Sequence, residues 1–125
     1  MATTPVSSSR AHDIAVRTPI REIARELQGL LGQKYTALLA GIRDPKAVGE
    51  WARDERAPHA AVAERLRFAF VIVCLLREAE ETSETIQAWF TGMNPYLDDR
   101  SPIFLIREDQ AALVLRAARA FIAGG

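Results

Sequence analysis

Four cations crowd one short stretch of this chain. Arg43, Lys46, Arg53 and Arg56 all fall between Gly41 and Pro58, in the segment Gly41-Ile-Arg-Asp-Pro-Lys-Ala-Val-Gly-Glu-Trp-Ala-Arg-Asp-Glu-Arg-Ala-Pro58. Lys and Arg reach phosphate oxygens, and Arg is also the commonest reader of guanine edges. Ala47 and Gly49 stand among them and are small enough for another backbone to come close; Glu50 lies beside them. The chemistry on offer is contact with a nucleic-acid backbone.

Other chemistry is sparse. Cys74 is the only cysteine and sits in an apolar run, so it reads as a buried structural thiol, not a nucleophile. His12 and His59 are too few and too far apart for a metal cluster. Asp98-Asp99 could suggest a metal site, but adjacent carboxylates rarely converge on one ion. A loop that caps its neighbours and pairs Arg100 is the simpler reading. Glu78, Glu80, Glu81 and Glu84 read as a solvated face. There is no Gly-rich phosphate loop and no catalytic arrangement, so neither an enzyme nor a cofactor is expected.

The four cations need a scaffold, and the flanking residues supply one. Leu38 and Leu39 close one helix, Gly41 makes a tight turn, and a second helix runs from Pro45 to about Asp54. Val48 and Trp51 are three apart and share a buried face. Lys46, Ala47, Gly49, Glu50 and Arg53 then fall on the other side. That layout is a helix-turn-helix, whose second helix is built to enter a DNA groove. A helix pair around a buried Trp also occurs in bundles that never meet DNA, and both readings stand on these residues alone.

The 125-residue length suits one domain, or one small domain with an added lobe. Its 16 basic residues balance its 16 acidic ones, so the whole molecule is not a polyelectrolyte binder. The balance is uneven, however. Residues 17–67 carry ten basic and seven acidic residues, a net of +3, and residues 68–125 carry five and eight, a net of −3. A basic front fits phosphate contact, and an acidic rear fits a protein partner. The start of the chain lacks the basic segment and apolar core of a secretion signal, and no apolar stretch reaches the length of a membrane span. A cytoplasmic protein that does not touch membranes is expected.

Taken in order, Thr/Ser-rich residues 1–17 read as a flexible tail. Thr18-Pro19 opens a helix with Ile20, Ile23, Ala24, Leu27, Leu30 and Leu31 on its apolar face, and Gly32 ends it. A short helix from Gln33 to Ala40 is expected to turn Tyr35, Leu38 and Leu39 inward. From His59 to Thr91 there is no Gly or Pro, and Phe68 to Leu76 is nine apolar residues without a break. Such a run could be a buried strand, but its flanks favour one long helix over Ala60–Glu80. A helix apolar all round must be covered all round, so it should lie between the halves of the chain and could join two copies. Thr82-Ser83 and Ser101-Pro102 open two further helices. A last helix from Asp109 to Ile122 is expected to turn Leu113, Val114, Ala117, Ala118, Phe121 and Ile122 inward. The fold class is therefore all-α. It comprises a flexible tail at 1–17, a helix-turn-helix at 18–58, a connecting core helix at 59–80 and a helical lobe at 81–125.

Two stretches together resemble a known family. Gly41-x₆-Val48-x₂-Trp51-x₆-Pro58 is similar to the degenerate Xre-type helix-turn-helix of the Xre/MbcA/ParS antitoxins. Ala88-Trp89-Phe90-x₂-Met93-Asn94-Pro95-x-Leu97-x₂-Arg100-Ser101-Pro102-x₂-Leu105-Ile106 is similar to that family's toxin-binding domain. Their order and spacing span residues 18–123. The resemblance implies the antitoxin of a type II toxin–antitoxin pair. Such a protein neutralises a RES-domain, NAD-consuming toxin by direct binding. It also represses its own operon by binding double-stranded promoter DNA, often as a homodimer or larger oligomer.

Carried over by position, the DNA face is Lys46, Ala47, Gly49, Glu50 and Arg53, to which Arg43 and Arg56 add cations within reach of phosphate. The toxin face is Asn94, Tyr96, Asp98, Asp99 and Arg100 of the loop, with Arg116, Arg119 and Phe121 of the last helix. The sequence departs from the pattern twice: Asp54 stands three residues after the Trp where Gly is common, and Asp109-Gln110 where a Gly often precedes the last helix. The alternatives are a stand-alone Xre-family transcriptional regulator without a toxin, and a protein-binding module whose helix-turn-helix has lost DNA contact.

Overall fold

The computed structural model describes residues 6–124, with side chains from Arg10 onward. Its elements are α1 (Val6–Arg17), α2 (Ile20–Ala40), α3 (Lys46–Ala52), α4 (Ala60–Glu78), α5 (Ser83–Thr91), a 3₁₀ turn at Pro95–Leu97, α6 (Pro102–Arg107) and α7 (Ala111–Ile122). The fold is all-α. Among the described residues the only extended pairing is an isolated bridge between Asn94 and Arg100.

The apolar run at Phe68–Leu76 lies within α4, around which the rest is built. Leu66, Ala69, Phe70, Ile72, Val73, Leu75 and Leu76 are buried on several sides of that helix. α1, α2, α6 and α7 all pack against it, which gives a helix apolar all round the cover it needs. The buried side chains of both halves form a single core, from Ile23 and Leu27 through Val48 and Trp51 to Ile86, Phe90 and Ile106.

The expected tail is a correction. Residues 6–17 form α1, and the remainder of that tail, residues 1–5, lies outside the described residues. Ala11 and Ala15, four positions apart and so on one face, are fully buried beneath α1. Among the described side chains of α1 the buried ones are Ala11 and Ala15, so polar composition hid this face. Arg67 of α4 fixes the end of α1: its Nη1 donates to the carbonyl oxygens of Ala15 and, at 2.7 Å, Thr18. The last turn of a helix leaves such carbonyls unsatisfied, and a cation is favoured there.

Gly32 breaks α2 where a stop was expected, with φ 84° and ψ 164° inside an otherwise helical span. Beyond it the inward face differs from the expectation. Thr36, Ala37, Leu39 and Ala40 are buried, while Tyr35 faces solvent. Thr36 is tolerated inside because its hydroxyl donates to the Gly32 carbonyl at 2.7 Å. The expected caps divide. Asp44 Oδ1 accepts from the Lys46 N–H at 3.0 Å, and Thr82 Oγ1 accepts from the Thr85 N–H at 3.1 Å. Thr18 and Ser101 instead donate to carbonyls of the preceding helices, at Ile14 and Thr91.

Candidate nucleic-acid face and candidate protein face

α3 is only seven residues long, and five of them, Ala47, Val48, Gly49, Trp51 and Ala52, are buried. Ala47 and Gly49, expected on the open side, therefore cannot offer a groove-facing surface. The helix is gripped from two directions. On one side Gln33 Nε2 donates to Gln28 Oε1 at 2.8 Å across the kink of α2. A Cβ on Gly49 would lie 2.8 Å from that Gln33 nitrogen, the movable end of an exposed side chain, so the Gln pair covers Gly49. On the other side, Ala47 and Trp51 line a cavity reaching Val62 of α4. Arg25 of α2 donates to the Ala52 carbonyl at 3.2 Å and closes the end of α3.

The open rim keeps the predicted cations but arranges them unequally. Arg53 makes a two-pronged pair with Glu55 at 2.8 and 3.2 Å. Hydrogen bonding in this pair raises the Arg53 pKa and holds the Glu55 carboxyl below its ordinary value. Arg56 pairs with Glu50 at 3.1 Å. Arg43 and Lys46 have exposed side chains with no hydrogen-bond or ion-pair partner among the described residues. Two cations are thus open and two are already engaged by acids. Asp54 ends α3 with φ 60°, a left-handed conformation that Asp tolerates better than most side chains. The Asp occupies glycine's backbone state and adds a negative charge beside the cations.

In the rear lobe, α5 and the loop after it build a second surface. Trp89 packs edge-to-face on the fully buried Phe90, with ring centres 5.4 Å apart at 88°. Asn94 is buried, works within the loop and lines the cleft that this loop forms with α7. Its Oδ1 accepts from the Tyr96 N–H at 2.9 Å, and its backbone carbonyl accepts from Leu97 and Asp99. Asp98 and Asp99 turn the chain with φ 54° and 64°. Arg100 pairs with Glu108, which raises the Arg100 pKa and holds the Glu108 carboxyl down.

Tyr96 and Phe121 do come together. With Trp89, Met93, Pro95 and Ala117 they line a cleft of about 210 Å³. Met93 is 80% exposed and Tyr96 56%. Arg116 and Arg119 are exposed on α7, as are Leu113 and Ile122. Only Val114, Ala117 and Ala118 of α7 are buried, so the inward placement expected for Leu113, Phe121 and Ile122 is corrected. The apolar residues of α7 are spread over more of its circumference than one contact can cover. Met93 and Trp89 were missed as site residues. The indole Nε1 of Trp89 is buried with no hydrogen-bond partner.

Two further groups differ in setting. Cys74 is buried, and burial pushes its thiol pKa up, against any nucleophilic role. Glu78 does not belong to a solvated face: both carboxylate oxygens are buried without a hydrogen bond, and Arg10 of α1 stands 3.6 Å away. α1 covers it, which the sequence reading of a tail could not anticipate.

No family model matches the chain, and comparison with curated proteins and with solved structures gives no match either. Among the described residues no helix is long and apolar enough to cross a membrane.

Proposed function

We propose that this chain is an antitoxin-type protein. Its rear lobe seats on and blocks an enzyme of the RES, NAD-consuming kind, and its front half contacts the promoter DNA of its own operon. The observation that carries the reading is the cleft of Trp89, Met93, Tyr96 and Phe121, with Arg116 and Arg119 exposed on the same helix as Phe121. Aromatic residues, Met and Arg are the side chains enriched where proteins bury surface against one another. Leu113 and Ile122 extend the exposed apolar surface of α7. The DNA role rests on Arg43 and Lys46, whose charges are uncommitted, with Arg53 and Arg56 available once their acid partners let go.

The front face is small and partly self-neutralised, so protein binding is the better supported of the two activities. In a stand-alone DNA-binding regulator the apolar surface around Met93 would serve dimerisation or sensing, and holding no enzyme while dimerising through this surface would favour that reading. The test is co-expression with a RES-domain enzyme encoded beside the gene, scored by growth rescue and co-purification. Met93→Glu combined with Tyr96→Glu alters two exposed side chains outside the core. The expected result is loss of rescue and co-purification, with the fold and promoter binding retained. Rescue by the double variant equal to the parent's, or failure of the parent to hold the enzyme, overturns the proposal.

A further inference from the structure

α3 is too short and too deeply packed to read bases by itself. Five of its seven residues are buried; of the other two, Glu50 is paired with Arg56 and Lys46 is a lone cation. The polar side chains that stand over α3 come from α2. Gln28 and Gln33 are five positions apart, and in an unbroken helix such residues point to different sides. Gly32, with φ 84° and ψ 164°, breaks the helix between them, and Gln33 Nε2 donates to Gln28 Oε1 at 2.8 Å. The point where a Cβ of residue 49 would stand lies 2.8 Å from Gln33 Nε2, 3.7 Å from Gln28 Oε1 and 3.1 Å from Arg53 Nη1. Two amides and a guanidinium therefore converge over one glycine. Gln33 is exposed, and its Oε1 has no hydrogen-bond partner among the described residues. Arg53 pairs with Glu55 through Nε and Nη2, which leaves Nη1 on the Gln33 side. Lys34 and Tyr35 continue the exposed surface beyond Gln33.

We propose that Gln33 of α2, and not a side chain of α3, is the base reader of the front face, and that Gln28 positions it. The assignment rests on the DNA-binding reading and names the side chain through which sequence is read. A primary amide carries an acceptor and a donor side by side, the complement of the N6 amino group and N7 of adenine in the major groove. The Gln28 bond takes one of the two Gln33 amide protons and leaves Oε1 and the other proton for the base. It also holds the amide in one orientation, so less side-chain freedom is lost on binding. Arg53 Nη1 and Lys46 hold the duplex by its phosphates, contacts that fix position and carry no sequence information.

The test is selection by the full chain from duplexes with a randomised centre, followed by affinities for the selected duplex and a scrambled one across a salt series. The parent is expected to select a motif with a fixed adenine. Gln33→Ala loses the preference at that position, narrows the ratio of selected to scrambled affinity about tenfold, and leaves the salt slope unchanged, because a neutral amide displaces no counterion. Gln33→Glu keeps the shape but only accepts, so the preference at the same position moves to cytosine, whose N4 amino group donates. Gln28→Ala weakens the adenine preference, but by less than Gln33→Ala. Lys46→Ala lowers the slope by about 0.9 and leaves the motif as it was. A parent that binds no duplex overturns the DNA-binding reading, and this assignment with it. Duplex binding without a motif, or a motif unaltered in both Gln33 variants, overturns the Gln33 assignment alone. So does an equal loss of selected and scrambled affinity in Gln33→Ala, the mark of a structural role.

Discussion

Arg65 and Asp109, 44 positions apart in sequence, form a two-pronged ion pair at 2.9 and 3.2 Å. The same guanidinium donates through Nη1 to the Ala40 carbonyl at 2.9 Å. One side chain of α4 therefore ties the end of α2 to the turn before α7. Arg107 of α6 adds a parallel link, donating to the Leu38 carbonyl at 2.9 Å. Carbonyls at the end of a helix lack partners within it, and here Arg65 and Arg107 supply donors to two of them. Gly41 is fixed by the same arrangement: its φ is 82°, and a Cβ there would lie 2.9 Å from Arg65 Nη1.

Truncating Arg65 should therefore cost more than removing the charge of its acid partner. Arg65→Ala leaves the Ala40 carbonyl without its donor and severs both links, for a loss of about 1–2 kcal/mol. Asp109→Asn removes only an exposed charge, keeps an acceptor in place, and should cost clearly less. Urea unfolding of the two variants checks the order. Equal losses would mean that the exposed ion pair, and not the carbonyl bond, carries the coupling.

The same contacts set an acid limit. Hydrogen bonding to Arg65 holds the Asp109 carboxyl below its ordinary 3.8. Arg53 and Arg100 likewise hold Glu55 and Glu108 below the ordinary 4.5. A carboxyl whose pKa falls on folding contributes stability that is fully present above its unfolded value and is lost as pH falls through its folded value. Thermal midpoints should stay level from neutral pH down to about pH 5 and decline below about pH 4.5. All three carboxyls are exposed, so the decline should be shallow and shallower still in high salt. Asp109→Asn should remove part of the slope. A decline beginning near pH 6 would mean that these carboxyls do not set the limit.

Much of the fold was legible because helix boundaries are written locally. Gly32, Gly41 and Gly92, and the segments Asp44-Pro45, Thr82-Ser83 and Ser101-Pro102, punctuate the chain close to where the helices end and begin. α4 was legible from nine apolar residues flanked by helix formers. What was not legible depends on partners distant in sequence. Ala11 and Ala15, the buried residues among the described side chains of α1, acquire meaning only against α4. Gly49 is buried by a Gln28–Gln33 bond that no spacing rule announces. The four cations of the front face are plain in the sequence. Their pairing with Glu50 and Glu55 depends on side-chain reach, which periodicity does not encode. Tyr96 and Phe121 were named and do meet, whereas Met93 and Trp89 were passed over because an apolar residue beside a core reads as core.

Releasing the paired cations should strengthen DNA contact if the front face is the DNA face. Glu50→Gln and Glu55→Gln together free Arg56 and Arg53 without touching the buried side of α3. Each cation that reaches a phosphate steepens the salt dependence of duplex binding by about 0.9 in log–log slope. The double variant should therefore bind the promoter fragment more tightly at low salt, with a slope steeper by up to about 2. Lys46→Ala with Arg53→Ala should move both quantities the other way. Mobility shifts across a salt series measure this. Slopes unchanged in both variants would show that Lys46, Arg53 and Arg56 do not meet the phosphate backbone.

The docking of α1 is the relationship most open to direct challenge, because so little surface carries it. Ala15 is fully buried, and its carbonyl receives a hydrogen bond from Arg67. Ala15→Asp places a carboxylate against the apolar side of α4, and an unpaired buried charge is strongly unfavourable. The least costly response is for α1 to lift away, baring α4 around Ala15 and removing the cover from Glu78. Amides of residues 10–17 should then lose their protection against hydrogen exchange while those of α2 and α4 keep theirs. The loss of global stability should be at least about 1–3 kcal/mol, the range for burying an unsatisfied polar group. The bared face should also promote self-association at high protein concentration. Asp13→Ala, on the exposed side of the same helix, is the control and should change neither quantity. Unaltered protection of residues 10–17 in Ala15→Asp would mean that α1 is not held by this face.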